Sequence, residues 1–264
     1  MMINWMGILL GFGGVIGGQL LEGGHLEQLI QPTAAMIVAG GTMGATLISS
    51  TMAEFMGAVF GVLKIFMGGG EGNLKKQIQE FVAAAQVARK EGILALEKVG
   101  RATKNKFFAE HLRHVIDGYD PKVVVEMMEE AIHHAETEKM AIAKVFETAG
   151  GFSPTIGIIG AVLGLIHVMS NLSDSSKLGS GIAVAFVATV YGVGAANLLL
   201  LPMGNKYKKI AKAEVETLSL TFTAIQGIQA GLNPRIIEEQ LYNVVGMHAS
   251  SGAAGGGGQA AKAA

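Results

Sequence analysis

The chain has 264 residues, of which 50% are hydrophobic and only 16% are charged. This composition is too apolar for an ordinary soluble domain, and the length is too short for a transporter with twelve membrane spans. The formal net charge of -1 provides no strongly basic surface, so we expect no nucleic-acid partner. The sequence has no cysteine, which excludes disulfides, thiolate metal sites and cysteine nucleophiles.

Four apolar stretches contain no aspartate, glutamate, lysine or arginine, and they flank a charged middle block. A helix rises about 1.5 Å per residue, so each stretch is long enough to cross a hydrocarbon core of about 30 Å. The pattern predicts an all-α integral membrane protein with four transmembrane helices and a helical cytoplasmic domain between the second and third. The stretches are residues 3–21, 33–53, 152–172 and 181–203.

The first two spans are rich in glycine. No cationic residue precedes the first apolar run, which continues to Leu21, so we expect a membrane anchor rather than a cleaved signal peptide. Little hydrophobic force holds helices together in lipid, and small residues four positions apart let two backbones approach closely. We therefore expect helix packing at three glycine pairs: Gly7 and Gly11, Gly14 and Gly18, and Gly40 and Gly44.

The lysines and arginines set the predicted orientation. Thirteen of the 20 lie between Lys64 and Lys144, six lie from Lys206 onward, and Lys177 alone lies in a short connector. The positive-inside rule therefore places the middle block and both termini in the cytoplasm. In chain order we predict a first span (1–21), a periplasmic loop (22–32), a second span (33–53), a cytoplasmic helical domain (54–148), a third span (149–172), a periplasmic loop (173–180), a fourth span (181–203), cytoplasmic C-terminal helices (204–248) and a disordered Gly/Ala tail (249–264).

The cytoplasmic block begins with an apolar segment. Residues 54–67 carry only Glu54 and Lys64 as charges, and they either extend the second span or form a helix at the membrane surface. Three glycines, Gly68–Gly70, end this segment. From Asn73 the apolar residues recur at helical spacing and predict a soluble amphipathic helix, which Gly92 interrupts.

Further helical segments precede the third span. One covers residues 93–99 and ends at Gly100, and a short piece covers residues 107–116. Asp120 suits an N-cap and Pro121 the first helical position, so a helix should run from there towards residue 148. No run of alternating residues with turn signals appears, and we therefore predict no β-sheet.

Spans three and four carry the candidate functional residues. Pro154 either occupies an early helix turn or kinks the third span. Thr189 either bonds to its own helix carbonyl, the favoured interpretation, or offers its oxygen to an ion. His167 has no titratable neighbour in sequence, which favours a packing role over a proton relay. The small residues of both spans predict a smooth flank against another helix or a ring partner: Gly157, Gly160, Gly164, Ala183, Ala185, Ala188, Gly192, Ala195 and Ala196.

One charged cluster lies in the cytoplasmic block. Arg89 and Lys90 precede Gly92, and Glu97 follows it, so patches of opposite sign lie close together. Such clusters are usually solvated faces, and a docking surface is the alternative. The sequence has no Walker A, GxSxG or HExxH motif, and we do not expect an enzyme.

These features together resemble the MotA/PomA family of flagellar stator subunits, within the MotA/TolQ/ExbB proton-channel superfamily, over residues 1–245. TolQ/ExbB-type subunits have one span before their cytoplasmic block, whereas two precede it here. The motifs that carry the resemblance are AxxARKEGILALE at 85–97, PTIGIIGAVLGLIHVM from Pro154, AVAFVATVYGVGAANLLLLP ending at Pro202, and QAGLNPRIIEEQL at 229–241.

The resemblance implies a homopentamer around a MotB-like dimer, a 5:2 complex in the bacterial inner membrane whose ring turns against the rotor protein FliG. An aspartate of the MotB-like helix carries the ion, which agrees with four spans that lack a carboxylate. By position, Pro154 and Pro202 match the coupling prolines of the family. The charges that face the rotor match Arg89, Lys90 and Glu97. We expect the MotB-like helix to slide along the Gly/Ala surface of spans three and four.

The resemblance also bears on the coupling ion. Sodium-driven relatives have a threonine where this chain has Ala161, and they keep the span-four threonine, here Thr189. Partly dehydrated sodium needs several oxygen ligands and a methyl group supplies none, so we expect protons rather than sodium, and no cofactor or metal. Two other functions stay open: an ion-driven energiser of a non-flagellar system, of the TolQ/ExbB, gliding or defence type, and a four-span transporter with its own substrate site.

Overall fold

The computed structural model describes residues 2–67, 74–172 and 175–246. These residues form helices and no strand, as predicted. Short 3-10 helices lie at Leu26–Leu29 and Ile93–Ala95, and a π-helix lies at Ala195–Leu200. The α-helices are α1 (Met2–Leu21), α2 (Pro32–Ser49), α3 (Met52–Met67), α4 (Leu74–Glu91), α5 (Leu96–Ala102), α6 (Lys106–Ile116), α7 (Pro121–Ser170), α8 (Ser175–Gly194), α9 (Leu201–Gln229) and α10 (Pro234–Val244).

Four helical segments are long and apolar enough to cross a membrane, which confirms the predicted number of spans. They are Met2–Leu21, Leu26–Ser49, Pro121–Ser170 and Leu178–Gln229. The last two are longer than a bilayer requires, because each joins an apolar part to a charged part. The predicted tail at 249–264, the glycines at 68–70 and positions 173–174 of the second predicted loop lie outside the described residues.

The chain divides into two compact units, and α7 and α9 contribute to both. The first unit comprises residues 1–71 and 134–214, and the second comprises residues 72–133 and 215–264. The interior of the first unit is small, while many large apolar side chains of its spans are exposed. Exposed apolar surface of this extent fits lipid or other transmembrane helices around the unit. Its two buried clusters are Ala58, Ile65, Ala143, Val145, Phe146 and Tyr207, and Ala34, Val38, Val187 and Ala188.

Residues 54–67 belong to a separate helix, α3. Ser50 has extended backbone angles and ends α2. The backbone N–H of Thr51 then donates to Oε2 of Glu54 at 2.8 Å, and the N–H of Glu54 donates to Oγ1 of Thr51 at 3.3 Å. This reciprocal capping box starts the new helix, so the second span does not simply continue.

The second unit has one apolar core formed by α4, α5, α6, α10 and the adjoining parts of α7 and α9. Its largest fully buried side chains include Phe81 and Phe108, whose rings lie 4.6 Å apart. Gly92 has φ +86° and ends α4 as predicted. The prediction that the next helix ends at Gly100 is wrong, because α5 continues to Ala102.

The start of α7 follows the prediction. The backbone N–H of Lys122 donates to Oδ1 of Asp120 at 2.8 Å, and Pro121 is the first helical residue. The helix then continues for 50 residues to Ser170. The helix predicted to run towards residue 148 and the third span are therefore one continuous element.

Candidate functional site

Helices α7 and α8 pack through direct backbone contact. A Cβ atom at Gly157 would lie 2.8 Å from the carbonyl oxygen of Ala188, and one at Gly192 would lie 2.5 Å from the carbonyl oxygen of Ser153. A Cβ atom at Gly164 would lie 2.8 Å from the backbone nitrogen of Ala185. Larger side chains at these positions would separate the two helices. We call this contact the glycine seam, formed by Ser153, Gly157, Gly160 and Gly164 of α7 and Gly181, Ala185, Ala188 and Gly192 of α8.

The glycine seam corrects one expectation and confirms another. The small flank of span three lies against another helix, as one of its two interpretations stated. It is not a smooth surface for a MotB-like helix, because Ala185 and Ala188 are buried against α7. Many of the residues that α7 and α8 leave exposed are large and apolar, among them Ile158, Leu163, Leu165, Ile182, Phe186, Val190 and Val193.

The glycine pairs of the first two spans behave differently from the seam. Gly11 would place a Cβ atom 3.3 Å from Leu198. For Gly7, Gly14, Gly18, Gly40 and Gly44, no atom of another helix in residues 2–67, 74–172 and 175–246 lies within 4 Å of the Cβ position. Within the described part of the chain, the expected close packing at these pairs is therefore made only at Gly11.

Pro154 and Pro202, the two candidate coupling prolines, lie at neighbouring places where regular α-helix hydrogen bonding is interrupted. Pro154 is inside α7, so the interpretation as an early-turn proline is wrong. It has no N–H to bond to the carbonyl of Gly150, four residues earlier. A Cβ atom at Gly150 would lie 2.7 Å from Cδ2 of Leu201, the residue before Pro202. The π-helix Ala195–Leu200 directly precedes this point, so both spans depart from regular α-helix bonding where they touch.

Two hydroxyls lie along the glycine seam. Thr189 donates to the carbonyl of Ala185 at 3.3 Å, which confirms the favoured back-bonding interpretation. Ser153 is buried and donates to the carbonyl of Gly192 at 2.9 Å, so it links the residue before Pro154 to span four. Sequence reasoning missed this bond, since a serine before a proline indicates no particular partner. Ala161 is half-buried on α7 and supplies no oxygen.

His167 is exposed at the outer part of α7. Its backbone carbonyl accepts a hydrogen bond from Nδ2 of Asn171 at 2.8 Å. Its ring nevertheless reaches span four, because Cδ2 of His167 lies 3.4 Å from the Cβ position of Gly181. The side chain therefore contacts α8 along one edge, as the favoured packing role requires, while the rest of it is exposed. Among residues 2–67, 74–172 and 175–246, no group of three histidine or acidic side chains lies close enough to hold a metal ion.

Partly buried ion pairs join three helices beyond the membrane-spanning part of the first unit. Glu214 of α9 accepts a hydrogen bond from Nζ of Lys139 of α7 at 2.6 Å and also pairs with Lys64 of α3. Burial alone would raise the pKa of Glu214, but the hydrogen bonds from Lys139 and Lys64 outweigh it and hold the pKa below its usual value. Lys208 and Glu147 add a second link between α9 and α7 at 2.5 Å.

The charged cluster of the second unit is exposed. Arg89 and Lys90 lie in the last turn of α4, and Glu97 lies in the first turn of α5. All three are exposed, and Glu97 pairs with Arg101 at 2.5 Å rather than with Arg89 or Lys90. Arg89 lines a cavity of about 510 Å³ together with the exposed Leu94. The structure therefore presents these charges on a surface that also offers apolar contacts.

The sequence comparisons cover most of the chain. The MotA/TolQ/ExbB proton channel family model matches residues 100–219, and the motility protein A N-terminal model matches residues 5–91. Motility protein A of Bacillus subtilis is 32% identical over 238 residues, which cover 89% of this chain and 87% of that protein. The chain belongs to the motility protein A family. Chemotaxis protein PomA of Vibrio alginolyticus is 31% identical over 90% of this chain and 92% of its own length.

Solved structures agree with this family assignment. The C. jejuni MotAB structure has a TM-score of 0.85 and 29% identity, over 91% of this chain and 94% of the matched chain. The flagellar MotAB stator complex of Bacillus subtilis has a TM-score of 0.83 and 30% identity, over 92% and 95%. The resemblance stated from sequence is confirmed: this member of the motility protein A family is a flagellar stator subunit and a membrane protein. The non-flagellar alternative is not favoured.

Proposed function

We propose that five copies of the chain surround the transmembrane helices of two MotB-like subunits in the bacterial inner membrane, with both termini in the cytoplasm. Ion flow through this 5:2 complex turns the ring against the rotor protein FliG. The proposed work is motion rather than covalent chemistry, so we assign no enzymatic activity. Support for a partner comes from the two solved relatives, which are both MotAB assemblies.

The absence of a carboxylate from the four apolar stretches supports the need for a partner. No carboxylate lies in the four apolar stretches of this chain, and a titratable group at that depth is the usual means of moving a proton. The exposed faces of α7 and α8 carry side chains such as Ile158, Leu165 and Phe186. Such faces suit helix contacts but not ion binding. The partner's carboxylate therefore carries the ion.

The contact of Gly150 with Leu201 carries the proposed coupling. From Ser153 onward the glycine seam holds spans three and four together as one rigid pair, because its glycines let the two backbones pack in direct contact. At the contact, Pro154 and the π-helix before Pro202 weaken regular helix bonding. The pair bends there when the partner's carboxylate is neutralised. This bending replaces the sliding motion that the sequence alone favoured.

Protons are the proposed transported ion. Ala161 offers no oxygen, which leaves the hydroxyl of Thr189 as one oxygen ligand of the two positions that the sequence singles out. A partly dehydrated sodium ion needs several such oxygens, whereas a proton needs one carboxylate. Each elementary charge that crosses releases about 2.3 kcal/mol per 100 mV, so one revolution requires many small coupled steps.

The exposed charges provide the proposed rotor contact. Arg89, Lys90 and Glu97 face solvent on one part of the second unit and flank the apolar Leu94. Exposed charges of this kind steer association and fix its register more than they add affinity. They would meet complementary charges on FliG as the ring turns.

The test uses tethered cells that lack their own stator and express this chain with its MotB-like partner. Adding a protonophore in sodium-free medium should stop rotation, and restoring the proton gradient should restart it. Collapsing the sodium gradient alone should leave rotation speed unchanged. Rotation that follows sodium and ignores the protonophore would overturn the ion assignment, and rotation without the partner would overturn the proposed complex.

A further inference from the structure

A cleft opens in the first unit where α1, α3 and the start of α9 meet. Its volume is about 420 Å³, and it is lined by both apolar and polar side chains. The apolar lining includes Ile8 of α1, Phe66 of α3 and Leu198 of the π-helix. The polar lining includes Lys206 and Lys209 of α9. No residue of the glycine seam lines the cleft. Pro202, which follows the π-helix, does line it.

The walls of the cleft are held in place by specific contacts. Nδ2 of Asn4 donates to the carbonyl of Ile65 at 2.8 Å, which ties the start of α1 to the end of α3. The rings of Trp5 and Phe66 lie 5.3 Å apart at the same junction. Gly11 of α1 approaches the side chain of Leu198. The cleft is therefore a formed feature of the unit rather than a gap between unconnected helices.

Two lysines give the cleft a net positive charge. Lys206 and Lys209 are three residues apart on α9, so they lie on the same helix face. Within residues 2–67, 74–172 and 175–246, neither has an ion-pair partner, and no acidic residue lines the cleft. Lys208, between them, instead pairs with Glu147. The two cleft lysines are thus left to attract an anion.

The position of the lysines indicates which anion. Lys206 follows the fourth apolar stretch, which ends at residue 203. Asn4 lies at the start of the first span, whose other end is Leu21. Both therefore belong at the level of the lipid headgroups. Basic pockets between membrane helices on the cytoplasmic side are typical sites for anionic lipid headgroups. The apolar wall continues towards the membrane interior, where an acyl chain would need it.

We propose that this cleft binds one anionic phospholipid of the cytoplasmic leaflet. Its phosphate lies between Lys206 and Lys209, and an acyl chain packs along Ile8 and Leu198. The inference rests on the orientation given under the proposed function. A bound lipid would contact Pro202 and would therefore support the backbone interruption at which spans three and four bend.

The experiment uses the full chain purified with its MotB-like partner in detergent. Native mass spectrometry counts the phosphatidylglycerol molecules that the complex retains, with phosphatidylcholine as the uncharged-headgroup comparison. The variant Lys206→Gln/Lys209→Gln removes the cleft charges, and Lys104→Gln/Lys106→Gln removes two exposed lysines of the second unit. Two contacts of about 1 kcal/mol each predict a loss of roughly 30-fold in phosphatidylglycerol affinity for the first variant only. Lys206→Arg/Lys209→Arg should retain binding.

Three results would overturn the proposal. Equal losses in both glutamine variants would show general attraction to charge instead of a site. Equal retention of phosphatidylcholine and phosphatidylglycerol would remove the role of the lysines. A second copy of the chain seated in the cleft of the imaged complex would make the cleft a subunit interface.

The readout needs no ion gradient or rotation, so it distinguishes failure of this inference from failure of the proposed function. Loss of phosphatidylglycerol selectivity with intact proton-driven rotation would overturn the lipid site alone. Retained selectivity in a complex whose rotation ignores the protonophore would overturn the ion assignment and leave the site intact.

Discussion

Gly150 of α7 lies against Leu201 of α9, with 2.7 Å between the Cβ position of the glycine and Cδ2 of the leucine. Gly150 is four residues before Pro154, and Leu201 directly precedes Pro202. Each proline removes one backbone hydrogen bond from its helix. The two weakened helix turns of spans three and four are therefore in contact, and this contact is where we place the bending that couples ion flow to rotation.

A valine at position 150 should impair rotation while leaving assembly intact. The added side chain would meet Cγ and Cδ2 of Leu201 at less than 3 Å. Overpacking of this kind costs about 1–3 kcal/mol and fixes the spacing of the two helices. We expect Gly150→Val to lower the rotation speed of tethered cells at an unchanged amount of purified complex. Gly151→Val is the matched control, because no described residue of another helix comes within 4 Å of the Cβ position of Gly151. Equal speeds for the two variants would contradict the assignment.

The glycine seam predicts different effects on stability for alanine substitutions at two nearby glycines, Gly192 and Gly194. At Gly192 a Cβ atom would lie 2.5 Å from the backbone oxygen of Ser153, and backbone cannot move aside as a side chain end does. Gly192→Ala should therefore lower the thermal midpoint of the purified protein. Gly194→Ala meets nothing within 4 Å and should be neutral or stabilise by up to about 1 kcal/mol, because alanine favours helix. Thermal unfolding in detergent measures both, and destabilisation of similar size in the two variants would argue against the seam.

Glu214 predicts how stability changes with pH. Its pKa is lowered in the folded protein, so its favourable contribution is present above the unfolded pKa, about 4.3, and is lost as pH falls through the folded pKa. Glu214→Gln should lower the free energy of unfolding at pH 7 and flatten the decline on acidification. Denaturant unfolding at pH 7 and at pH 3 measures the free energy of unfolding and its decline on acidification. Glu216→Gln, at an exposed position on the same helix, is the control, and a matching change there would contradict the role of the Lys64 and Lys139 pairs.

Charge reversal at the exposed end of α4 should weaken contact with the rotor. Arg89→Glu/Lys90→Glu inverts two charges without disturbing any ion pair in the part of the chain that the structure describes. We expect smaller swim rings in soft agar while the amount of assembled complex stays the same. Lys75→Glu inverts an exposed charge in the first turn of the same helix and should leave swimming unchanged. Normal swimming by the double variant would rule out this surface as the rotor contact.

Much of the architecture follows from local sequence patterns. The four apolar stretches predict the spans because length and composition alone decide whether a helix can cross a bilayer. Asp120 and Pro121 predict the start of α7 because capping depends on adjacent residues. The charges at Arg89, Lys90 and Glu97 are exposed as a solvated or docking face requires.

The remaining features depend on contacts between distant residues. The sequence does not show that α7 continues through the glycines at 150 and 151 into the third span, or that Gly150 lies against Leu201. The small residues of span three define a face, but the pattern does not tell whether span four or a partner helix lies against it. The π-helix at 195–200 and the pairing of Lys64 with Glu214 likewise have no local signature.

Imaging the purified complex tests the central claim most directly. The chain would be purified in detergent with and without the co-expressed MotB-like partner, and both samples imaged by electron cryo-microscopy. Five copies of the chain should form a ring that encloses two transmembrane helices of the partner, with α7 and α8 facing them. A closed assembly with no central opening, or one in which other helices face the partner, would contradict the account.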